Sequence, residues 1–316
     1  MKKFGLLIII LTSISLAQPW PYNFGTGTGS LTTGVSTTFL PDPATGGGAD
    51  ARVRIGSQGG SFNLENQIIA FGSNSYLRGV APTGGSVNKF SIYDYSPANL
   101  FTFRFTVRFG DSDGSSTGAS SGTWYLFIGD GASYSDNNTF TSVQVFTALR
   151  FTFGEGGIIT TAARLGASWT TAGITGTPFT QGANYTVDIY GNNSTLTEAY
   201  NYGGVQTVAV NTIDIWVNGV LVANDIGKGQ LPNNADIDSW LFYGESSTGN
   251  VANIFLDDFF YSNELSNEPL PVELTSFSSS VIGSTVKLIW NTATEINNYG
   301  FEIERASLSA SPLPVW

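Results

Sequence analysis

Residues 101 to 109 read FTFRFTVRF and alternate without a break: Phe101, Phe103, Phe105, Val107 and Phe109 fall on one side, Thr102, Arg104, Thr106 and Arg108 on the other. A period of two residues is the signature of a β-strand, and apolar residues on one side only give it a dry face and a wet face. Parallel strands are normally covered on both faces, so this pattern favours antiparallel sheet. It recurs in LRFTF (149–153), YTVDIY (185–190), IDIWV (213–217) and NIFLDDFFY (253–261).

No segment carries a convincing 3.6-residue apolar period, which predicts very little helix. The stretches between strands, such as PDPATGGGAD (41–50) and GDSDGSSTGASSG (110–122), are rich in Gly, Ser, Thr and Asp and read as loops joining paired strands. In IDIWVNGVLVAND, Asn218-Gly219 separates two apolar runs, the mark of a two-residue hairpin whose central residues both take positive φ. Val217 and Val220 are then expected to face each other. A dozen or so short strands joined by turns imply two packed sheets, an all-β antiparallel sandwich.

The N-terminus reads as a leader. Lys2 and Lys3 precede the apolar GLLIIILTSISL, and Ser15-Leu16-Ala17 supplies small residues where a signal peptidase cuts. The apolar run falls short of the about 20 residues that span a membrane. Cleavage is expected after Ala17, with no membrane insertion of the mature chain. Export permits disulfides, yet the sequence has no cysteine, so stability must come from core burial, to which a 13% aromatic content is suited.

Histidine is also absent. Zinc sites of the usual kinds, Ser-His-Asp and Cys-His nucleophile systems, and imidazole general bases are therefore excluded. With 13 Lys and Arg against 24 Asp and Glu, the net charge is −11. Such a surface repels phosphate backbones, and no Lys/Arg cluster appears along the sequence, which argues against nucleic acid as a partner.

Two resemblances extend this reading. The succession of a long aromatic strand, WYLFIGDG, YTVDIY, IDIWVNGVLV, SWLFYG and IFLDDFFYSN resembles the concanavalin A-like lectin/glucanase jelly roll, laminin-G-like modules included. The likeness spans roughly residues 20 to 263 and implies that Tyr22-Asn23-Phe24 pairs with the closing strand. Residues 270–307 are similar to a C-terminal segment of proteins exported by the type IX secretion system of Gram-negative bacteria. There LPVELTSF (270–277) opens a fibronectin-III-like module and WNTATE (290–295) with NNYGFEIER (297–305) continues it. The organisation expected is a signal peptide at 1–17, a jelly-roll sandwich at 18–263, a linker at 264–271 and a partial fibronectin-III-like (Ig-like) module at 272–316. On this resemblance the chain ends partway through that module, the region contacting the export machinery lying beyond Trp316.

Glucanases of the jelly-roll family carry a pattern like E-x-D-x-E on one strand, and this sequence has no such triplet. Asp257 and Asp258 are adjacent and are expected on opposite faces, one exposed and one hydrogen-bonded to backbone. For a metal, Asp111 and Asp113 place two carboxylates at i and i+2 in a loop, a start towards a structural calcium site; equally, Asp and Ser are good turn formers. Asp130 and Asp136, in GDGASYSDNN, are a second candidate with the same turn-forming alternative. No other cofactor is expected. For glycan recognition, Trp169 is the first candidate because GASWTTAGITG reads as loop, although a tryptophan capping the sandwich is the competing account. Tyr200 and Tyr202 lie on one side of EAYNYGG and form a second candidate platform. Trp124, Trp216 and Trp240 fall within strand patterns and are expected in the core.

These features imply a secreted, extracellular or cell-surface, non-catalytic module that binds polysaccharide or another surface polymer. The alternatives left open are a structural or adhesive spacer without a specific ligand and a divergent glycoside hydrolase.

Overall fold

A computed structural model describes residues 19–44, 47–66, 69, 71–72, 74–114, 118–138, 140–266, 274–282 and 285–292. The leader at 1–17, residues 267–271 of the linker and residues 293–316 of the second module lie outside the described residues.

The first half of the chain supplies β1 (Trp20–Tyr22), β2 (Gly29–Leu31), β3 (Gly34–Ser36), β4 (Asp50–Ile55), β5 (Ser61–Asn66), β6 (Ser75–Val80), β7 (Asn88–Tyr93), β8 (Leu100–Gly110), β9 (Thr123–Gly129) and β10 (Val145–Phe153). It continues with β11 (Ile159–Leu165), β12 (Ser168–Thr170), β13 (Asn184–Asn192), β14 (Glu198–Asn201), β15 (Val205–Val208), β16 (Thr212–Val217), β17 (Val220–Gly227), β18 (Ser239–Glu245) and β19 (Asn253–Ser262). A separate pair, β20 (Leu274–Ile282) and β21 (Thr285–Thr292), follows. Helical structure among the described residues is limited to three single 3-10 turns.

Two large antiparallel sheets form a sandwich. The first runs β17-β16-β13-β8-β19-β6-β5-β2, with β1 also paired to β19; the second runs β12-β11-β10-β9-β18-β7-β4-β3. The long β8 lies centrally in the first sheet because both neighbours, β13 and β19, pair with it along most of its length. Its residues Phe101, Phe103, Phe105, Val107 and Phe109 are completely buried between the sheets. Fully burying one such phenylalanine contributes about 1.5–3 kcal/mol, so in a chain without cysteine this row is a substantial part of what holds the sheets together.

Trp124 and Trp240 join that core from the second sheet. Trp124 fits because Gly79 and Gly244 face its ring: a Cβ at either position would lie 2.7 Å from a ring carbon. Its indole N–H donates to the carbonyl of Ala252 at 3.1 Å. The Asn218-Gly219 turn has φ of 48° and 78°, and Val217 is paired with Val220, as the hairpin pattern requires.

Three local expectations are corrected. The outward side of β8 is not wet: Thr102, Arg104 and Thr106 are all buried. The β14–β15 hairpin and the segment around Glu264–Ser266 fold back over that face, where Thr102 Oγ1 donates to the Glu264 carbonyl and accepts from the Ser266 N–H. The strand that pairs with β19 is Trp20–Tyr22, two residues earlier than Tyr22–Phe24. Asp257 and Asp258 are both buried, because the ladder between β19 and β8 shifts register between Asp257 and Phe260 and Asp258 takes φ 50° at that bulge.

Candidate ligand-binding site

The outer face of the second sheet carries a cleft. Alternation sends Trp124, Leu126 and Ile128 of β9 into the core and leaves Tyr125 and Phe127 pointing outward; β18 does the same with Leu241, Tyr243 and Glu245. The ladder places Arg150 opposite Tyr125, Tyr125 opposite Tyr243, and Tyr243 opposite Lys89. One continuous row of polar and aromatic side chains thereby crosses four strands.

Residues 130–138 and 140–141, between β9 and β10, fold over part of this face. Tyr134 is fully buried beneath the loop, and Phe140 stacks on Phe127 with ring centroids 4.0 Å apart. Two cations hold the loop from below. The Nζ of Lys89 donates to the carbonyls of Ser133 and Asn138, and the Arg52 guanidinium donates to the Asp136 carbonyl at 3.0 Å and to the Asn137 side chain.

Beside the loop is a cleft of about 290 Å³, walled by Tyr125, Phe127, Phe140, Trp169, Tyr243 and Arg164, with Glu245 at its edge. That volume is at the small end of the range for small-molecule clefts. Trp169 comes from the short edge strand β12, where it pairs with Arg164 of β11. Its ring lies 5.4 Å from that of Tyr125 and holds the guanidinium groups of Arg150 and Arg164 at 5.1 and 5.4 Å from its centroid. Arg164 is oriented further by donating to the Gly166 carbonyl at 3.1 Å and to Ser142 Oγ at 2.8 Å.

Glu245 Oε1 accepts the Tyr125 hydroxyl at 2.8 Å. Burial first, and then the Glu245 carboxylate, push both the Tyr125 and the Tyr243 hydroxyls above their ordinary value of 10.0, so both remain protonated donors at neutral pH. Burial lowers the Arg164 pKa below its ordinary value. The cleft therefore presents aromatic walls, tyrosine hydroxyls, one carboxylate and a guanidinium at close quarters.

Of the residues singled out from sequence, Trp169 is half-buried and forms a wall of this cleft. It lies in a strand, and arginines crowd its ring. Tyr200 lies on β14 and Tyr202 just past its end, and both are buried, so neither ring stands open as the expected second platform requires. Tyr200 stacks on Tyr190 at 3.9 Å and Tyr202 on Trp216 at 4.0 Å, which covers the ring faces a sugar would need. Their hydroxyls donate to buried carboxylates, Tyr200 to Asp214 at 2.7 Å and Tyr202 to Asp188 at 3.0 Å. Trp216 is buried as expected, but in this cluster under the hairpin and not between the sheets. Asp111 and Asp113 form a turn in which Asp111 Oδ1 accepts the Asp113 N–H at 3.3 Å. Among the described residues, no group of three or more acidic side chains could hold a metal ion.

Sequence inspection did not find Tyr125, Tyr243, Glu245, Arg150 or Arg164. Alternation within WYLFIG and SWLFYGE places Tyr125, Tyr243 and Glu245 opposite the buried tryptophans, and that was the available signal. Which strands lie side by side, and hence which outward residues meet, is not written in any one segment.

No protein-family model matches the chain, and no curated protein matches it. Among solved structures the fold is similar to the cellulose-induced protein Cip1, with 14% identity, a TM-score of 0.38, and coverage of 72% of this chain and 90% of that one. It is also similar to the carbohydrate recognition domain of Emp46p in its potassium-bound form, with 11% identity, a TM-score of 0.35, and coverage of 61% and 84%. The carbohydrate esterase vb_24B_21 from Shiga toxin-encoding bacteriophage phi24B gives 13% identity, a TM-score of 0.42, and coverage of 75% and 100%.

Proposed function

We propose that the sandwich is a secreted, non-catalytic module that binds polysaccharide through the cleft walled by Trp169, Tyr125 and Phe140. The observation that carries this reading is the composition of the cleft: aromatic walls beside tyrosine hydroxyls and a carboxylate, the mixture that suits a ring with apolar faces and a polar rim. Glycoside hydrolysis uses two carboxyl groups set across the bond to be cut, whereas Glu245 is the single carboxylate among the described residues that line the cleft. Membership of the concanavalin A-like jelly rolls, and export through the type IX route to the cell surface, belong to the same proposal. They rest on the strand motifs, the leader at 1–17 and the segment at 270–307.

A glycan array with the mature chain tests it. Binding to at least one polysaccharide class is expected, with loss of binding in Trp169→Ala at an unchanged melting temperature. Absence of binding to any glycan would favour a spacer, and release of reducing sugar from a bound polymer would make the protein an enzyme.

A further inference from the structure

The face that carries the cleft is also where this acidic chain gathers positive charge. Of its 13 Lys and Arg, five stand on the outer side of the second sheet: Arg52 and Arg54 of β4, Lys89 of β7, Arg150 of β10 and Arg164 of β11. They are 112 positions apart in sequence at the extremes, so no cluster shows along the chain, and the ladder alone assembles them.

Lys89 and Arg52 are occupied in holding the 130–141 loop. The other three are not neutralised: Arg54, Arg150 and Arg164 form no ion pair among the described residues. Arg54 Nη1 is buried without a hydrogen-bond partner among those residues. Arg150 and Arg164 are fixed over the Trp169 ring, and Arg164 also lines the cleft. In a chain of net charge −11, three arginines without counter-ions on one face form a local anion site. Planar guanidinium groups suit carboxylate and sulfate oxygens. From Arg54 to Arg150 the row crosses four inter-strand gaps, about 19 Å at about 4.8 Å each, so its charges match a polymer better than a single sugar.

We propose that the ligand is an acidic polysaccharide, its carboxylates or sulfates paired with Arg164 at the cleft, with Arg150 beside it over Trp169 and with Arg54 further along the row. This rests on the glycan-binding reading of the cleft. Nucleic acid fits less well. Its charges are packed at about one per 1.7 Å of duplex, far denser than three arginines spread along about 19 Å can match.

The test is calorimetric titration of the mature chain with two matched pairs, polygalacturonate beside its methyl ester and dextran sulfate beside dextran, with a single-stranded oligonucleotide as the competing polyanion. At least one acidic polymer is expected to bind at least about tenfold more tightly than its neutral partner, the scale of one charge-assisted contact. Its affinity should fall as salt rises, and Arg150→Gln and Arg164→Gln should each weaken it about tenfold without moving the melting temperature. The choice between the carboxylated and the sulfated polymer identifies the anionic group. If a variant fails to fold, the wild-type comparison of acid with neutral polymer still decides. Equal affinity within both pairs, or binding confined to neutral glycans on the array, overturns this inference and leaves the glycan-binding reading standing. Absence of binding to every glycan of either charge removes both. Tighter binding to the oligonucleotide overturns the proposal in favour of a nucleic-acid site.

Discussion

Lys89 Nζ donates to the carbonyl of Asn138 at 2.5 Å from a position with no solvent exposure, one strand away from the Tyr243 wall of the cleft. Asp136 Oδ1 lies 3.9 Å away on the same loop, while Arg52 and Arg54 stand on the neighbouring strand. Burial pulls the lysine pKa down from 10.5 to about 8; Asp136 opposes the shift and the two arginines add to it.

The sign of the resulting pH effect follows from proton counts. Between pH 8 and 10.5 the folded state has released the Lys89 proton and the unfolded state has kept it, so stability rises with pH across that window. Near pH 10 an opposing effect begins. Tyr95, Tyr125, Tyr134 and Tyr243 have hydroxyls pushed above 10.0, chiefly by burial, so there the folded state holds protons that the unfolded state loses. The melting temperature is expected to climb above pH 8 and turn down near pH 10. In Lys89→Met the climb should shrink to the part that Lys228, its pKa also lowered by burial, supplies, and the downturn remain, which a pH series of thermal melts on both proteins would check.

A second prediction concerns the face that sequence marks as wet. Arg104 Nε donates to Asp188 Oδ1 at 2.5 Å beneath the β14–β15 hairpin, and Asp188 has no solvent exposure. Replacing Arg104 with Met strands a buried carboxylate, which costs about 3–5 kcal/mol, whereas replacing both partners with apolar residues of similar volume is often neutral. Urea denaturation should show the large loss in Arg104→Met and recovery of part of it in Arg104→Met/Asp188→Leu, which still leaves the buried Tyr202 hydroxyl without its acceptor. Equal losses in the single and the double variant would mean that the ion pair is not what the hairpin covers.

The contrast between these two faces shows what a sequence of this kind reveals. The dry side of β8 is legible because its alternation is local: each of Phe101, Phe103 and Phe105 needs only its own neighbours to declare a face. What returns later to cover the other side is not local. Tyr200, Tyr202 and Leu265 come from roughly a hundred residues or more downstream, and they convert Thr102 and Arg104 from surface into interior. The same holds for the candidate site. Trp169 was visible as an aromatic in a loop-like stretch, but the arginines around it arrive by strand pairing across β10, β11 and β12. The bulge at Asp258 is invisible for a related reason: one extra residue breaks the simple alternation from which opposite faces were inferred for Asp257 and Asp258.

The acidic loop after β8 gives the last prediction. The sequence of this loop suits the start of a calcium cage or a turn, and Asp111 and Asp113 make turn hydrogen bonds. Asp111 Oδ1 accepts the Asp113 N–H at 3.3 Å, and the Asp111 carbonyl accepts the Gly114 N–H at 3.0 Å. The Asp111 carboxylate also packs so closely on Gly118 that a Cβ there would lie 1.8 Å from Oδ2. A calcium ion takes six to eight oxygen ligands, and a carboxylate with one oxygen accepting a loop N–H and the other packed against Gly118 is poorly placed to give one. An ion bound only to the folded state raises the melting temperature through its binding free energy. Treatment with EGTA is therefore expected to leave the melting temperature unchanged, and Asp113→Ala to shift it by no more than a surface substitution does. A fall of several degrees on chelation, restored by calcium and absent in Asp113→Ala, would show instead that the loop closes around an ion.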